Sequence, residues 1–187
     1  MMRRGVLTIG VIFLIAAATL GWVHHHTSRY DDLISQAAAR NGVDFYLVKA
    51  LIFEESWFRS DINGAAGEHG LMQITPAAAA DYASRKGFPS FLWERLTEPE
   101  LNVEIGSWYL RQSLDHYKEC PQPTLFALLR YNAGESRADT WLQKAMSKPL
   151  PANLSPEEHY LSFVDFRKTR AYARNILKRS RSRNFWY

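Results

Sequence analysis

Cysteine is nearly missing: Cys120 is the only one in the chain. That excludes an intrachain disulfide and a cysteine-based zinc or iron–sulfur cage. Beyond residue 27 there is no internal repeat, no low-complexity stretch and no alternating apolar/polar run long enough to read as a strand. A basic face is also lacking, although the net charge is +4. Arg3 and Arg4 supply two of the positive charges, and Lys178, Arg179, Arg181 and Arg183 supply four more, which leaves −2 for everything between. A nucleic-acid binder needs its basic residues on the folded domain, so nucleic acid is not an expected partner. What remains is an ordinary globular mixture, 47% hydrophobic and 22% charged, which excludes wholesale disorder. The 187 residues suffice for one domain with a real core. The 13% of aromatic residues suits both that core and a groove with flat walls.

The apolar residues are concentrated at the start. Arg3-Arg4 precedes Gly5 to Val23, nineteen residues with no charge and two threonines. As a helix that run is about 28 Å long, close to the hydrocarbon thickness of a bilayer. It reads either as an uncleaved inner-membrane anchor, with Arg3 and Arg4 cytoplasmic and Trp22 at the far interface, or as a signal peptide cut after Ala16-Ala17-Ala18. Both readings put residues 28–187 on the periplasmic side. No cysteine follows the run, so lipid attachment there is not expected. His24 to His26 read as solvated linker residues, and no metal or cofactor is expected.

The remaining punctuation is helical. Asp31-Asp32 opens a helix closed by Asn41-Gly42, and Asp44 caps another that ends near Glu55-Ser56. Residues 59–70, with Asn63-Gly64, Gly67 and Gly70, read as an irregular loop. Thr75-Pro76 starts a helix that Gly87 stops, and Pro99 starts a long one ending before Pro121. Thr124 to Asn132 and Ser136 to Ser147 form two short helices around Ala133-Gly134. Ser155-Pro156-Glu157-Glu158 is a capping box that opens a last helix towards Lys178. The expected fold class is all-α, with six or seven helices after the N-terminal one. The expected partition is 1–27 as membrane or signal segment, 28–178 as catalytic domain and 179–187 as a basic and aromatic tail.

One residue carries a chemical signal. Glu55 ends an apolar helix, with Leu51-Ile52-Phe53 before it and Trp57-Phe58 after it. A carboxyl so placed loses hydration, its pKa rises, and it can donate a proton near neutrality as a glycosidase acid does. Glu54 points about 100° away around the helix, so it cannot face Glu55 across a bond. Asp61 and Glu68 lie in the loop and stay open as second carboxylates.

Four blocks surround this residue in order. Glu55-Ser56-Trp57-Phe58 leads through Gly67 to Gly70-Leu71-Met72-Gln73. Pro99-Glu100-Leu101-Asn102 is followed by Gly106 and Tyr109-Leu110, then Tyr131-Asn132-Ala133-Gly134 by Trp141-Leu142, and last comes Thr169-Arg170-Ala171-Tyr172. Together they resemble the lytic transglycosylases of the soluble lytic transglycosylase type, over about residues 30–178. The resemblance implies a goose-lysozyme-like α fold and peptidoglycan glycan strands as substrate. It implies Glu55 as sole acid/base: it protonates the oxygen between N-acetylmuramic acid and N-acetylglucosamine, then takes the proton of the 6-hydroxyl as a 1,6-anhydro ring closes. It further implies Gly70, Met72, Gln73, Tyr131, Asn132 and Tyr172 as substrate-binding positions, with the Tyr172 hydroxyl close to Glu55. Two positions depart from the family pattern. Gly64 stands where members often have serine, and Glu68 where many have alanine, which bears on substrate positioning more than on reaction type. A lysozyme-type hydrolase and a non-catalytic peptidoglycan-binding module remain the alternatives.

Overall fold

The computed structural model describes residues 2–88, 93–183 and 185, and the side chains within these from residue 10 onward, except that of Trp93. Among them there is no strand; nine α-helices and one 3-10 turn account for the regular structure. They are α1 (Met2–Ser28), α2 (Asp31–Asn41), α3 (Phe45–Ser56), α4 (Pro76–Lys86), α5 (Pro99–His116), α6 (Pro123–Ala133), α7 (Glu135–Met146), α8 (Pro156–Ser162) and α9 (Arg167–Ser182), with the 3-10 turn at Trp93–Thr97.

Helix α3 is the centre of the domain. Its Val48, Ala50, Leu51 and Ile52 are fully buried, because α2 packs on one side of it and α9 on another. Even Lys49 is buried; its ammonium pairs with Asp31 at 2.6 Å and lies over the ring of Phe185. Both ends are set locally. The Asp44 carboxylate accepts from the Leu47 N–H at 2.8 Å, which satisfies one of the first-turn donors that no helical carbonyl can reach. At the other end Trp57 and Phe58 take left-handed conformations, φ 51° and 59°, at a cost of roughly 1–2 kcal/mol each for residues with a β-carbon. Complete burial of the Phe58 side chain, worth about 2–3 kcal/mol, offsets much of that cost.

Two features differ from the sequence expectation. The last helix is broken: α8 ends at Ser162 and α9 begins at Arg167. The break lets Val164 drop into the core and lets Asp165 accept from the Trp141 indole N–H at 3.0 Å, neither of which an unbroken helix allows. With that break, eight α-helices follow α1 among the described residues, not six or seven. The boundary expected at 178 is no structural break either. Helix α9 runs on to Ser182, the Arg179 guanidinium lies over the Phe53 ring, and Phe185 is buried against Tyr46. Residues 184, 186 and 187 of that segment lie outside the described ones.

Helix α1 covers most of the expected membrane or signal segment, but the side chains of its first residues lie outside the described set. Among the described residues no helix is long and apolar enough to cross a membrane. The end of α1 packs on the domain through Trp22 and His26, whose rings stack on each other and both lie tilted against Trp57.

Candidate active site

The two left-handed residues after Ser56 turn the chain sharply, so that residues 59–74 fold back as an irregular loop beside the end of α3. The loop is held by single antiparallel bridges between Asn63 and His69 and between His69 and Ile74. Gly70, at φ 75°, has no room for a side chain: a β-carbon there would stand 2.8 Å from the Leu96 carbonyl oxygen. The loop hangs from Asn102 of α5, which is completely buried. Its Oδ1 accepts from the Met72 N–H at 2.7 Å, and its amide donates to the carbonyls of His69 and Leu96 at 2.7 Å each. Asn102 was visible in the sequence as part of a matching block, but nothing in one sequence assigned it this task.

Each expected site residue can now be placed. Glu55, half-buried in the last turn of α3, accepts a hydrogen bond of 2.6 Å from the Tyr172 hydroxyl, which arrives from α9. Tyr131 of α6 donates to the Met72 carbonyl at 2.9 Å, so it ties the loop to the opposite wall. Asn132 is exposed and accepts from Thr169 of α9 at 2.8 Å. The Gln73 amide nitrogen donates to the carbonyls of Gly70 and Ile62. Met72 is different. Its side chain is fully buried and rests on Gly106, where an added β-carbon would come within 2.8 Å of the Met72 Cβ. It therefore shapes the wall from behind and offers a ligand no side-chain surface. Gly70 likewise acts through the backbone. Gln73, Tyr131 and Asn132 line one cleft of about 220 Å³, together with Thr75, Tyr109 and Gly134.

The electrostatics centre on one carboxyl. Burial raises the Glu55 pKa to about 7; the Tyr172 hydrogen bond pulls it down, and the charges of Glu54 and Glu68 push it up. Burial also pushes the Tyr131 and Tyr172 hydroxyls well above their ordinary value, with the Glu55 charge adding to the effect. Both phenols therefore stay protonated and serve as donors. Glu54 faces α9, where its carboxylate accepts from Asn175 at 3.1 Å. Asn63, within reach of the vacant serine position in sequence, is engaged with the His69 ring at 2.6 Å.

Elsewhere, His116, Glu135 and Asp139 bring three metal-ligating groups close together. Both carboxylates already have partners in the chain, however: Asp139 accepts from Tyr117 at 2.6 Å, and Glu135 pairs with Arg130 at 2.7 Å.

An all-α domain with one apolar-flanked acid, held by one tyrosine and acting electrostatically on a second tyrosine that lines a cleft, has the anatomy of a lysozyme-like domain. The chain belongs to the Transglycosylase SLT domain family, which it matches over residues 32–151. It is 28% identical over 149 residues to the soluble lytic murein transglycosylase of Salmonella typhimurium, an alignment covering 79% of this chain and 22% of that protein. It is 30% identical over 115 residues to the membrane-bound lytic murein transglycosylase F of Desulfosudis oleivorans, covering 60% of this chain and 23% of the relative. The fold is similar to the crystal structure of the 70 kDa soluble lytic transglycosylase of Escherichia coli, with a TM-score of 0.70 and 25% identity over 84% of this chain and 24% of that one. The complex of the 70 kDa enzyme with bulgecin A gives a TM-score of 0.71, again at 25% identity, over 82% of this chain and 24% of that one. This chain thus spans under a quarter of the length of these relatives.

Proposed function

We propose that this chain is a peptidoglycan lytic transglycosylase that cuts the β-1,4 bond between N-acetylmuramic acid and N-acetylglucosamine, with Glu55 as its single acid/base. Family membership gives the reaction class. The observation that carries the assignment is the state of Glu55: a half-buried carboxyl whose pKa sits near 7, with a phenol at 2.6 Å. Near neutrality such a group is protonated in part of the molecules, so it can donate to the leaving oxygen and then act as base. Its carboxylate form is stabilised by the Tyr172 O–H, which is already in place and adds no charge. In the second step Glu55 takes the proton of the muramic acid 6-hydroxyl, whose oxygen attacks the anomeric carbon and closes the 1,6-anhydro ring. No water enters, so the products together have the mass of the substrate.

The proposed setting is the periplasmic face of the inner membrane, with α1 as an anchor and glycan strands as the partner. It is supported by Arg3-Arg4 ahead of the uncharged run. Purified peptidoglycan digested with the chain and analysed by mass spectrometry tests the chemistry. Anhydro-ended muropeptides are expected from the wild type and none from Glu55→Gln. Ends heavier by one water would instead identify a hydrolase on the same scaffold, and glycan binding without any cleavage would identify a binding module.

A further inference from the structure

Charges that balance along the chain do not balance in space. A pocket of about 500 Å³ lies in the angle between α8 and α9, with Leu154 at its edge. The buried face of α9 is made by Thr169, Tyr172, Ala173, Ile176 and Leu177. Arg167, Arg170 and Arg174 stand at i, i+3 and i+7, which sets them on one stripe of the helix roughly opposite Tyr172. All three line the pocket, and Leu161 and Ser162 of α8 face them. Arg174 is engaged: its Nε and Nη2 donate to the two Glu158 oxygens at 3.0 and 2.8 Å. Arg167 and Arg170 are not, since among the described residues neither guanidinium has a hydrogen-bond or ion-pair partner. Arg170 is half-buried, so its charge has given up part of its water and gained no anion in return. A guanidinium offers a planar fork of donors that a carboxylate matches, and the Arg174–Glu158 pair shows that match inside the same pocket.

We propose that Arg167 and Arg170 bind a carboxylate of the peptide that peptidoglycan carries on its muramic acid, which makes the outer face of α9 a peptide site separate from the groove of Glu55. The inference rests on the peptidoglycan reading above. Charge complementarity calls for an anion, and the shape of the pocket narrows the choice. Its two free forks stand beside apolar surface, the buried Leu161 and the exposed Leu154. That pairing suits a short peptide in which carboxylates alternate with methyl and methylene groups. A flat bilayer surface cannot enter a recess of this kind. Arg170 and Ala171 directly precede Tyr172, so the occupant is separated from the catalytic acid by the thickness of one helix, about 10 Å. Binding there holds the polymer against the domain without filling the cleft in which it is cut.

The test measures binding of the free peptidoglycan tetrapeptide (alanine, γ-linked glutamate, diaminopimelate, alanine) to the full-length chain in neutral detergent by calorimetry, so that no sugar takes part. Arg167→Gln and Arg170→Gln should each weaken binding about ten- to hundredfold, the worth of a hydrogen bond to a charged group. Arg167 is exposed, so its variant reads the pocket independently of any packing by the Arg170 stem. The same peptide with its carboxyl groups amidated should not bind. Arg85→Gln removes an equal charge from α4, where the guanidinium is paired with Asp81, and should bind the peptide as the wild type does. The pocket is overturned if the wild type binds no peptide, or if both pocket variants bind it as well as the wild type. Equal weakening by Arg85→Gln also overturns it, because the attraction is then that of net charge. Inorganic phosphate that binds as tightly and displaces the peptide would replace the peptide site by a phosphate site. Digestion of peptide-free glycan checks the underlying reading separately. Cleavage without peptide binding removes the pocket and leaves the enzyme, whereas peptide binding through the two arginines without cleavage leaves the pocket and removes the enzyme.

Discussion

At the scale of single residues, Glu55 is an expensive group to keep. With its pKa raised from the ordinary carboxylate value to about 7 by burial, the folded state binds a proton that the unfolded state has already released between about pH 4.5 and 7. Stability therefore falls as pH rises through that window, by about 3 kcal/mol at most. Replacing the acid by its neutral isostere removes the cost. Glu55→Gln should melt several degrees above wild type at pH 8 and at the same temperature at pH 4, while its cleavage falls by at least about 10²-fold. Equal melting at pH 8 would show that the carboxyl is better hydrated than its surroundings suggest. For the same reason kcat/KM of the wild type should fall as pH rises through about 7, because the acid of the free enzyme is then lost. The neighbouring phenol separates packing from chemistry. Tyr172→Phe keeps a ring that is only 7% exposed but deletes the 2.6 Å donor. Turnover should drop roughly ten- to hundredfold, the worth of a charge-assisted hydrogen bond, with melting nearly unchanged. Unchanged turnover would remove the hydroxyl from the mechanism, and a parallel collapse of melting would make it a structural residue.

At the scale of elements, the site is a loop suspended between helices, and Asn102 is the point of suspension. Asn102→Ala would leave the Met72 N–H and the carbonyls of His69 and Leu96 without the partners they now have. The expected loss is about 3 kcal/mol or more, read from urea unfolding, with faster amide exchange confined to residues 62–74. A loss below about 1 kcal/mol would mean that the bridges through His69 hold the loop by themselves. This division of labour also explains what could be read in advance. Asp44, Thr75-Pro76, Gly87 and Pro99 act on their own first or last turn, so the helix ends they define were legible from a few neighbouring residues. The α8–α9 break was hidden, because it depends on Trp141, twenty-four residues before Asp165. Glu55 was visible through its apolar flanks, whereas the Asn102 suspension required distances. Met72 stands in a matching motif, but only distances show that its side chain is buried against Gly106.

At the scale of the molecule, the proposed reading makes α1 the element that sets where the groove works. Its last turns do not swing free of the domain. The His26 ring lies 2.8 Å from the Trp57 carbonyl oxygen, Arg29 donates to the Phe58 carbonyl, and both carbonyls belong to the left-handed pair that directly follows Glu55-Ser56. If Gly5 to Val23 crosses the bilayer with Arg3 and Arg4 in the cytoplasm, Trp22 marks the outer interface and Trp57 lies against it. The catalytic end of α3 is then held at the membrane surface, and the enzyme reaches only glycan close to the bilayer. Protease added to intact spheroplasts should therefore digest the domain, and carbonate washing should leave the full-length chain in the membrane fraction. Protection from protease would reverse the orientation, and release of a shortened chain would show that the segment is cut as a signal peptide. The contact itself has a separate readout. A chain starting at residue 30 loses the His26 and Arg29 partners of Trp57 and Phe58, so the turn after Glu55 should loosen. It should melt lower than a chain starting at residue 19, and it should lose more turnover on soluble glycan than any loss of tethering explains. Equal melting and turnover in the two truncations would reduce α1 to a tether.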